Sequence, residues 1–144
     1  MRLKKRKIIF LLVVTVVITI MIIGLSMYFK PHRDTSSMRP DHIIADSELF
    51  SAYTNKFNFA QENYTDKIIE LSGELSEIEI ADEQTTLIFH LNDGIFGSEG
   101  IRCIFSISSP LDVHIGDIVR IRGICDGYNE TDVILSSCTL IQER

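Results

Sequence analysis

An uncharged apolar run of 22 residues, from Ile8 to Phe29, constrains this chain more than any other feature of its sequence. As a helix, the run would be about 33 Å long, which is enough to cross the hydrocarbon core of a bilayer. Its many β-branched residues disfavour a helix in water, but in lipid every backbone amide must be paired within the segment. The sequence therefore predicts a single transmembrane helix over residues 8–29, with the membrane as its partner.

Positive charge is concentrated in front of this run. Residues 1–7 hold five of the 14 basic residues and none of the 20 acidic ones. Because basic segments stay in the cytoplasm, we predict a single-pass protein of the cell membrane with residues 1–7 inside the cytoplasm and everything after Phe29 outside it. A secretory signal cleaved after Ser26 is the alternative, since Gly24-Leu25-Ser26 fits a small-x-small site, but the apolar run is longer than such signals usually are.

The part of the chain after residue 7 is strongly acidic. It has nine basic residues against 20 acidic ones, a formal balance of −11. Affinity for nucleic acid comes mainly from Lys and Arg side chains that displace counterions from phosphates. The charge balance therefore argues against nucleic acid as a partner.

Residues 30–45 mix prolines, serines and charges without periodicity, and they predict a stalk or linker before a folded domain over residues 46–144. Asp46 and Ser47 are typical caps for a helix that we expect over about residues 47–62. Apolar side chains recur on one face of this helix, and they are Leu49, Ala52, Tyr53, Phe57 and Ala60. We expect that face to pack on the rest of the domain.

Beyond Lys67 the apolar period changes to two, which is typical of strands with one buried face. Five strands are predicted, over about residues 69–76, 86–91, 101–105, 119–125 and 132–141. Glycines within the first strand and near the end of the fourth, Gly73 and Gly123, permit tight bending of a small barrel. The pattern predicts a mainly β domain, a five-stranded oligonucleotide/oligosaccharide-binding (OB) barrel with an amino-terminal packing helix.

One ordered set of residues extends over about residues 46–142. It consists of Glu48-Leu49, Ala52-Tyr53, Ala60, Tyr64, Lys67-Ile68, Gly73, the run Gly116-Asp117-Ile118-Val119-Arg120-Ile121-Arg122-Gly123, Cys125, Gly127, Asp132-Val133, Leu135 and Cys138. This set resembles the tRNA_anti-like family of OB-fold domains, of which the chain would be a membrane-anchored member. The resemblance implies an OB barrel, and family members are often anchored or secreted proteins without an assigned activity. The family name is not evidence that this chain binds tRNA.

In an OB barrel, ligands lie across the second and third strands, between two loops. Here those loops cover about residues 79–84 and 126–131, and they contain carboxylates but no Lys or Arg. Binding of single-stranded nucleic acid needs a cationic groove with stacking aromatic rings. We therefore expect a protein or an envelope component as the ligand, while a nucleic-acid binder and a structural subunit of a membrane complex stay open. The candidate ligand-contacting residues are Tyr128, Phe96, His90, Ile88 and Arg102.

Two further expectations follow from the implied fold, in which the fourth strand neighbours the first and the third neighbours the fifth. Arg120 and Arg122 should form cross-strand ion pairs with Glu70 and Glu74. The candidate disulfide joins Cys103 on the third strand to Cys138 on the fifth. Three buried thiols without a disulfide are an equally supported alternative.

No motif of a known catalytic or metal-binding class occurs in the sequence, such as G-x-S-x-G, H-E-x-x-H or C-x-x-C. We therefore expect a non-catalytic protein without metal or cofactor, with a hydrolase of envelope material as the enzyme alternative. Asn63 and Asn129 begin triplets of the glycosylation type, and the sequence does not decide whether they are modified. It also leaves the oligomeric state open.

Overall fold

The structure is a computed structural model, and it describes residues 2–28, 35, 37–81, 84–95, 97–106 and 111–141. The side chains of residues 2–10 and 26–28 are outside this description. The chain divides into two compact units, Met1–His32 and Arg33–Arg144.

The first unit contains the helix α1, Arg2–Tyr28. Its side chains are described over residues 11–25, and the large apolar ones among them are exposed. Within the described residues, no helix is long and apolar enough to cross a membrane, so the prediction of a transmembrane helix over residues 8–29 is wrong.

The second unit combines a sheet with two short helices. In chain order its described elements are β1 (His42–Ala45), α2 (Asp46–Asn55), α3 (Phe57–Tyr64), β2 (Ile68–Glu74), β3 (Glu77–Ala81), β4 (Gln84–Gly94), β5 (Gly97–Phe105), β6 (Ile118–Tyr128) and β7 (Asp132–Leu140). Hydrogen bonds join the strands in the order β1-β2-β6-β7-β5-β4-β3. The fold is thus an open seven-stranded sheet over the described residues, and the prediction of a closed five-stranded barrel is wrong.

A bend in the first predicted strand is one reason for the difference. The chain passes from β2, which pairs with β6, to β3, which pairs with β4, through only two residues. The N–H of Leu75 donates to Asp117 O at 2.9 Å, and the N–H of Ser76 donates to Ile88 O at 3.0 Å. These two residues therefore connect opposite ends of the sheet and curl it.

The other additional strand lies within the predicted linker. β1 pairs in parallel with β2, and its Ile44 is buried. Further upstream, the hydroxyl of Thr35 donates to Ser137 O at 2.7 Å, and Arg122 Nη1 donates to Met38 O, also at 2.7 Å. Residues within the predicted linker are therefore hydrogen-bonded to the sheet. The sequence did not predict this strand, because four residues are too few to show a periodic pattern.

The predicted helix over residues 47–62 is two helices. Lys56 has φ −138° and ψ 54°, which are not helical angles, and it separates α2 from α3. The residue before α2 is Ala45, and no side chain caps this end, so the expected caps at Asp46 and Ser47 are wrong. The expected packing face is correct in part, since Leu49, Tyr53 and Ala60 are buried.

The core lies between α2 and the inner face of the curled sheet. α2 contacts β1, β2, β4, β5 and β7, so one short helix packs across most of the sheet. The largest fully buried side chains include Tyr53, Phe89 and Phe105. Full burial of one such side chain contributes about 1.5–3 kcal/mol.

Candidate functional site

Three neighbouring strands present the outward face at which an OB fold would bind a ligand. Ile88 on β4 lies directly opposite Glu77 on β3 and Arg102 on β5, and His90 lies opposite Gly100. Residues that pair directly point to the same side of a sheet. Three of the predicted ligand-contacting residues are therefore brought together. We call this surface the Arg102 face, and it consists of Glu77, Glu79, Ile88, His90, Arg102 and Asp132.

Arg102 is held by two carboxylates on this face. Its Nη1 donates to Glu79 Oε2 at 3.2 Å, and its Nε donates to Asp132 Oδ2 at 3.0 Å. Asp132 is 7 % exposed, and its other oxygen accepts the N–H of Gly100 at 3.0 Å. Among the described residues, no protein group accepts a hydrogen bond from Nη2 of Arg102. The Arg102 side chain is 39% exposed, so part of this held guanidinium faces solvent.

The remaining members of the face are either paired or covered. His90 Nε2 lies 3.1 Å from Glu77 Oε2, and the backbone N–H of His90 donates to Ser76 Oγ. Ile88 is only 2 % exposed, so it supports the face from beneath. Three carboxylates surround one guanidinium and one imidazole, and this balance disfavours a phosphate ligand.

Sequence reasoning did not find the two acidic partners of Arg102. Glu79 and Asp132 are far apart in the sequence, and only the register of β3, β4, β5 and β7 brings them to one arginine. The sequence did contain one sign that Asp132 has a fixed position. Asp132 comes three residues after Asn129, a residue type whose side chain often hydrogen-bonds to the backbone of a turn. Asn129 Oδ1 accepts the N–H of Asp132 at 2.7 Å.

Tyr128 lies away from the Arg102 face. A bulge between Cys125 and Gly127 shifts the register of β6, so Tyr128 pairs with the buried Val133 and faces the inner side of the sheet. There it stacks on Tyr53 at 6.1 Å between ring centroids, and it meets the edge of Phe50 at 6.4 Å. Burial, followed by the nearby carboxylates of Glu99, Asp132 and Glu130, raises the pKa of Tyr128. Phe96 lies outside the described residues.

A cavity of about 460 Å³ opens beside Tyr128. We call it the aromatic cleft, and it is lined by Tyr53, Thr54, Phe57, Tyr128 and Glu130. Beneath it, the hydroxyl of Tyr53 lies 2.9 Å from Thr65 Oγ1 and 3.2 Å from Cys125 Sγ. Burial raises the pKa of Tyr53, so this hydroxyl stays protonated.

The three cysteines are buried free thiols. The thiols of Cys103 and Cys138 are within hydrogen-bonding reach of each other, and Cys138 Sγ also donates to Leu135 O at 3.4 Å. Burial raises the pKa of Cys138 and of Cys125. The structure thus brings the candidate pair together in the reduced form, and the disulfide itself stays a prediction. No group of three or more metal-ligating side chains is found in the described part of the chain.

Buried thiols of raised pKa should react slowly with alkylating reagents, because the thiolate is the reactive form. We expect native protein to be labelled by iodoacetamide at least about tenfold more slowly than unfolded protein. Intact mass after labelling measures the number of reacted thiols. Unfolded, unreduced protein should take up three labels if all thiols are free, whereas uptake of a single label would show that one pair is oxidised.

In this sheet β2 pairs with β6 and β5 pairs with β7, as expected for an OB fold. The outward face described above lies where that fold binds ligands. The chain belongs to the tRNA_anti-like family, whose model matches residues 1–139. Among solved structures, it is similar to that of a candidate nucleic acid-binding lipoprotein from Klebsiella pneumoniae subsp. pneumoniae, with 14% identity and a TM-score of 0.50. The match covers 69% of this chain and 92% of that chain, and at this identity it shows the fold alone. None of the curated proteins compared with the chain matches it.

Proposed function

We propose that this chain is a non-catalytic binding module of the OB fold, and that its ligand is a protein or an envelope component bound on the Arg102 face. The observation that supports this most is the arrangement of Arg102. Glu79 and Asp132 hold its guanidinium at 3.2 and 3.0 Å, while its side chain remains 39% exposed. A guanidinium that is already oriented loses little conformational freedom on binding, which favours affinity.

The carboxylates of the face decide between classes of ligand. Glu77 and Glu79 are more than half exposed, so both can accept hydrogen bonds from a ligand. A ligand that carries acceptors and donors together, such as a peptide amide or a sugar hydroxyl, matches one oriented donor flanked by acceptors. A polyanion would match only Arg102 and would be repelled by its neighbours.

The proposal of a module without catalytic activity is supported by the pairing within the face. His90 is engaged by Glu77, and Arg102 by Glu79 and Asp132. A general base needs a nucleophile or a substrate proton within hydrogen-bonding reach. On the described face, the hydrogen bonds of the imidazole and the guanidinium are to carboxylates, and the Ser76 hydroxyl beside them accepts the backbone N–H of His90.

Nucleic-acid binding is the second candidate function. Two observations favour it, namely the partly exposed guanidinium of Arg102 and the description of the similar Klebsiella protein as a candidate nucleic acid-binding protein. The three carboxylates around Arg102 weigh against it, because single-strand binding relies on a cationic groove.

Crosslinking in intact cells tests the proposal, with full-length protein carrying a photoreactive residue at Thr86 beside the face. We expect a discrete product with the wild type, and at least a tenfold loss of that product in Arg102→Gln, because the oriented donor is gone. Arg39→Gln removes an exposed cation elsewhere and should leave the product unchanged. Thermal unfolding verifies that each variant is folded.

A titration with a labelled single-stranded oligonucleotide separates the second candidate. We expect a dissociation constant weaker than about 10⁻⁴ M at physiological salt. Tighter binding that weakens steeply with salt and is lost in Arg102→Gln would replace the proposal with nucleic-acid binding. Turnover of a substrate by the purified chain would contradict the non-catalytic assignment.

A further inference from the structure

The aromatic cleft is a concave surface lined by none of the residues of the Arg102 face. Its volume of about 460 Å³ is within the range of small-ligand sites, about 300–1,000 Å³. It lies between the end of α2, the start of α3 and the turn that joins β6 to β7. Thr54 and Phe57 come from the helices, and Tyr128 and Glu130 come from the strand end and the turn.

The rings of the cleft are held in fixed orientations. Tyr128 stacks on Tyr53 with 27° between the ring planes, and Phe50 supports Tyr128 by an edge contact at 76°. Tyr53 is 1% exposed, whereas Phe57 is 46% exposed. Tyr53 and Tyr128 therefore form a packed aromatic wall, and Phe57 adds a half-exposed ring to the lining.

The charge of the cleft has one sign. Its lining residues are neutral except for Glu130, and no lysine or arginine contributes to the lining. Glu99 and Asp132 are also close enough to Tyr128 to raise its pKa together with burial. Aromatic ring faces are electronegative as well, so rings and carboxylates favour the same ligand charge. Both the rings and the carboxylates therefore favour a cationic ligand and disfavour an anionic one.

The position of Glu130 is fixed by its turn. Its φ is +77°, a left-handed conformation that costs a residue other than glycine some backbone strain. Asn129 Oδ1 holds the turn by accepting the N–H groups of Thr131 at 3.1 Å and of Asp132 at 2.7 Å. The turn thus fixes the backbone of Glu130 beside the cleft that this residue helps to line.

We infer that the aromatic cleft binds a primary alkylammonium group, the side chain of a lysine on a protein partner. In this arrangement the ammonium group donates to Glu130, the rings of Phe57 and Tyr128 face the cation, and the methylene groups lie on the aromatic wall. A primary ammonium suits the cleft better than a quaternary one, because the Glu130 carboxylate and the Thr54 hydroxyl offer acceptors for its N–H groups. The site does not depend on the ligand of the Arg102 face.

Nuclear magnetic resonance of the full-length chain with labelled tyrosine rings tests this inference, with Nα-acetyl-lysine methylamide as the probe. We expect the Tyr128 ring signals to shift with a dissociation constant on the order of 1 mM, as for weak small-molecule binding. The Nζ-acetylated probe, which has no charge, should bind at least about tenfold more weakly.

Matched variants locate the effect in the cleft. Phe57→Ala and Glu130→Gln should each weaken binding about fivefold or more. Phe59→Ala removes a similarly exposed ring of α3 that packs on Tyr64, and Glu62→Gln removes an exposed carboxylate of the same helix. Neither control should change the affinity.

Three results would overturn the inference. Equal binding of the charged and the acetylated probe would show that the cleft takes apolar chains and not cations. Equal losses in Phe59→Ala and Phe57→Ala would place the effect outside the cleft. Tighter binding of tetramethylammonium than of the lysine probe would assign the cleft to quaternary ammonium groups and not to a protein side chain.

Discussion

Replacement of Glu70 by alanine should lower the free energy of unfolding by about 3–5 kcal/mol, because it breaks a buried ion pair in which two arginine side chains meet one carboxylate. Glu70 is 3% exposed on β2. Arg122 Nη2 donates to its Oε2 at 2.7 Å, and Arg120 Nη2 donates to its Oε1. The side chain of Arg122 is itself only 15% exposed, so water can replace little of the lost interaction.

The same carboxylate makes stability depend on pH. The hydrogen bond from Arg122 lowers the pKa of Glu70 most, and that from Arg120 adds to it, while burial acts in the opposite direction. A group whose pKa is lower in the folded state contributes stability above its unfolded pKa and loses it as the pH falls through the folded value. We therefore expect the wild type to lose this stability as the pH falls below 4.5, the ordinary pKa of a glutamate. The free energy of unfolding of Glu70→Gln should lack this part of the pH dependence.

Urea unfolding at neutral pH and at lower pH values measures both effects. The matched control is Glu74→Gln, which changes an exposed carboxylate on the same strand and should alter stability by less than about 0.5 kcal/mol. If Glu70→Ala proved no more destabilising than this control, the buried ion pair would contribute nothing measurable.

Replacement of Gly100 by alanine should destabilise the sheet by about 3 kcal/mol or more, because the added methyl group would overlap a backbone atom. The methyl group would meet the carbonyl oxygen of Phe89 on β4, which cannot move without breaking the ladder between β4 and β5. Gly100 also donates its N–H to Asp132, the partner of Arg102. The same variant should therefore weaken ligand capture by the Arg102 face.

Gly94→Ala is the matched control at the end of the same strand pair. The three atoms nearest to a methyl group there belong to the side chain of Glu99, which can rotate away. Thermal and urea unfolding of the two variants should differ by at least about 2 kcal/mol in the free energy of unfolding. Similar stabilities would mean that β5 can move away from Phe89 at little cost.

Sequence patterns located most of the strands because burial on one face imposes a period of two. They also predicted the cross-strand pairing of Arg120 and Arg122 with Glu70, and the structure confirms it. The expected pair with Glu74 does not form among the described contacts. The break at Leu75 and Ser76 was not predictable, since the alternation continues through it and only the partner strands change.

The candidate site was predictable to a similar extent. Ile88, His90 and Arg102 could be placed on one face from their positions along two strands. The placement of Tyr128 could not be predicted, because one bulged residue in β6 turns every later side chain to the opposite face. The acidic partners of Arg102 depend on registers that no local pattern encodes.

An open sheet leaves two strands with unpaired backbone groups, which invites association between molecules. Here the outermost strand on one side has only four residues, His42–Ala45, and it follows shortly after Pro40. The strand on the other side carries Glu77 and Glu79, so a second copy approaching it would meet like charges. The short strand at one edge and the charge repulsion at the other edge make the addition of further strands unfavourable. They give a physical reason for such a sheet to resist fibril formation.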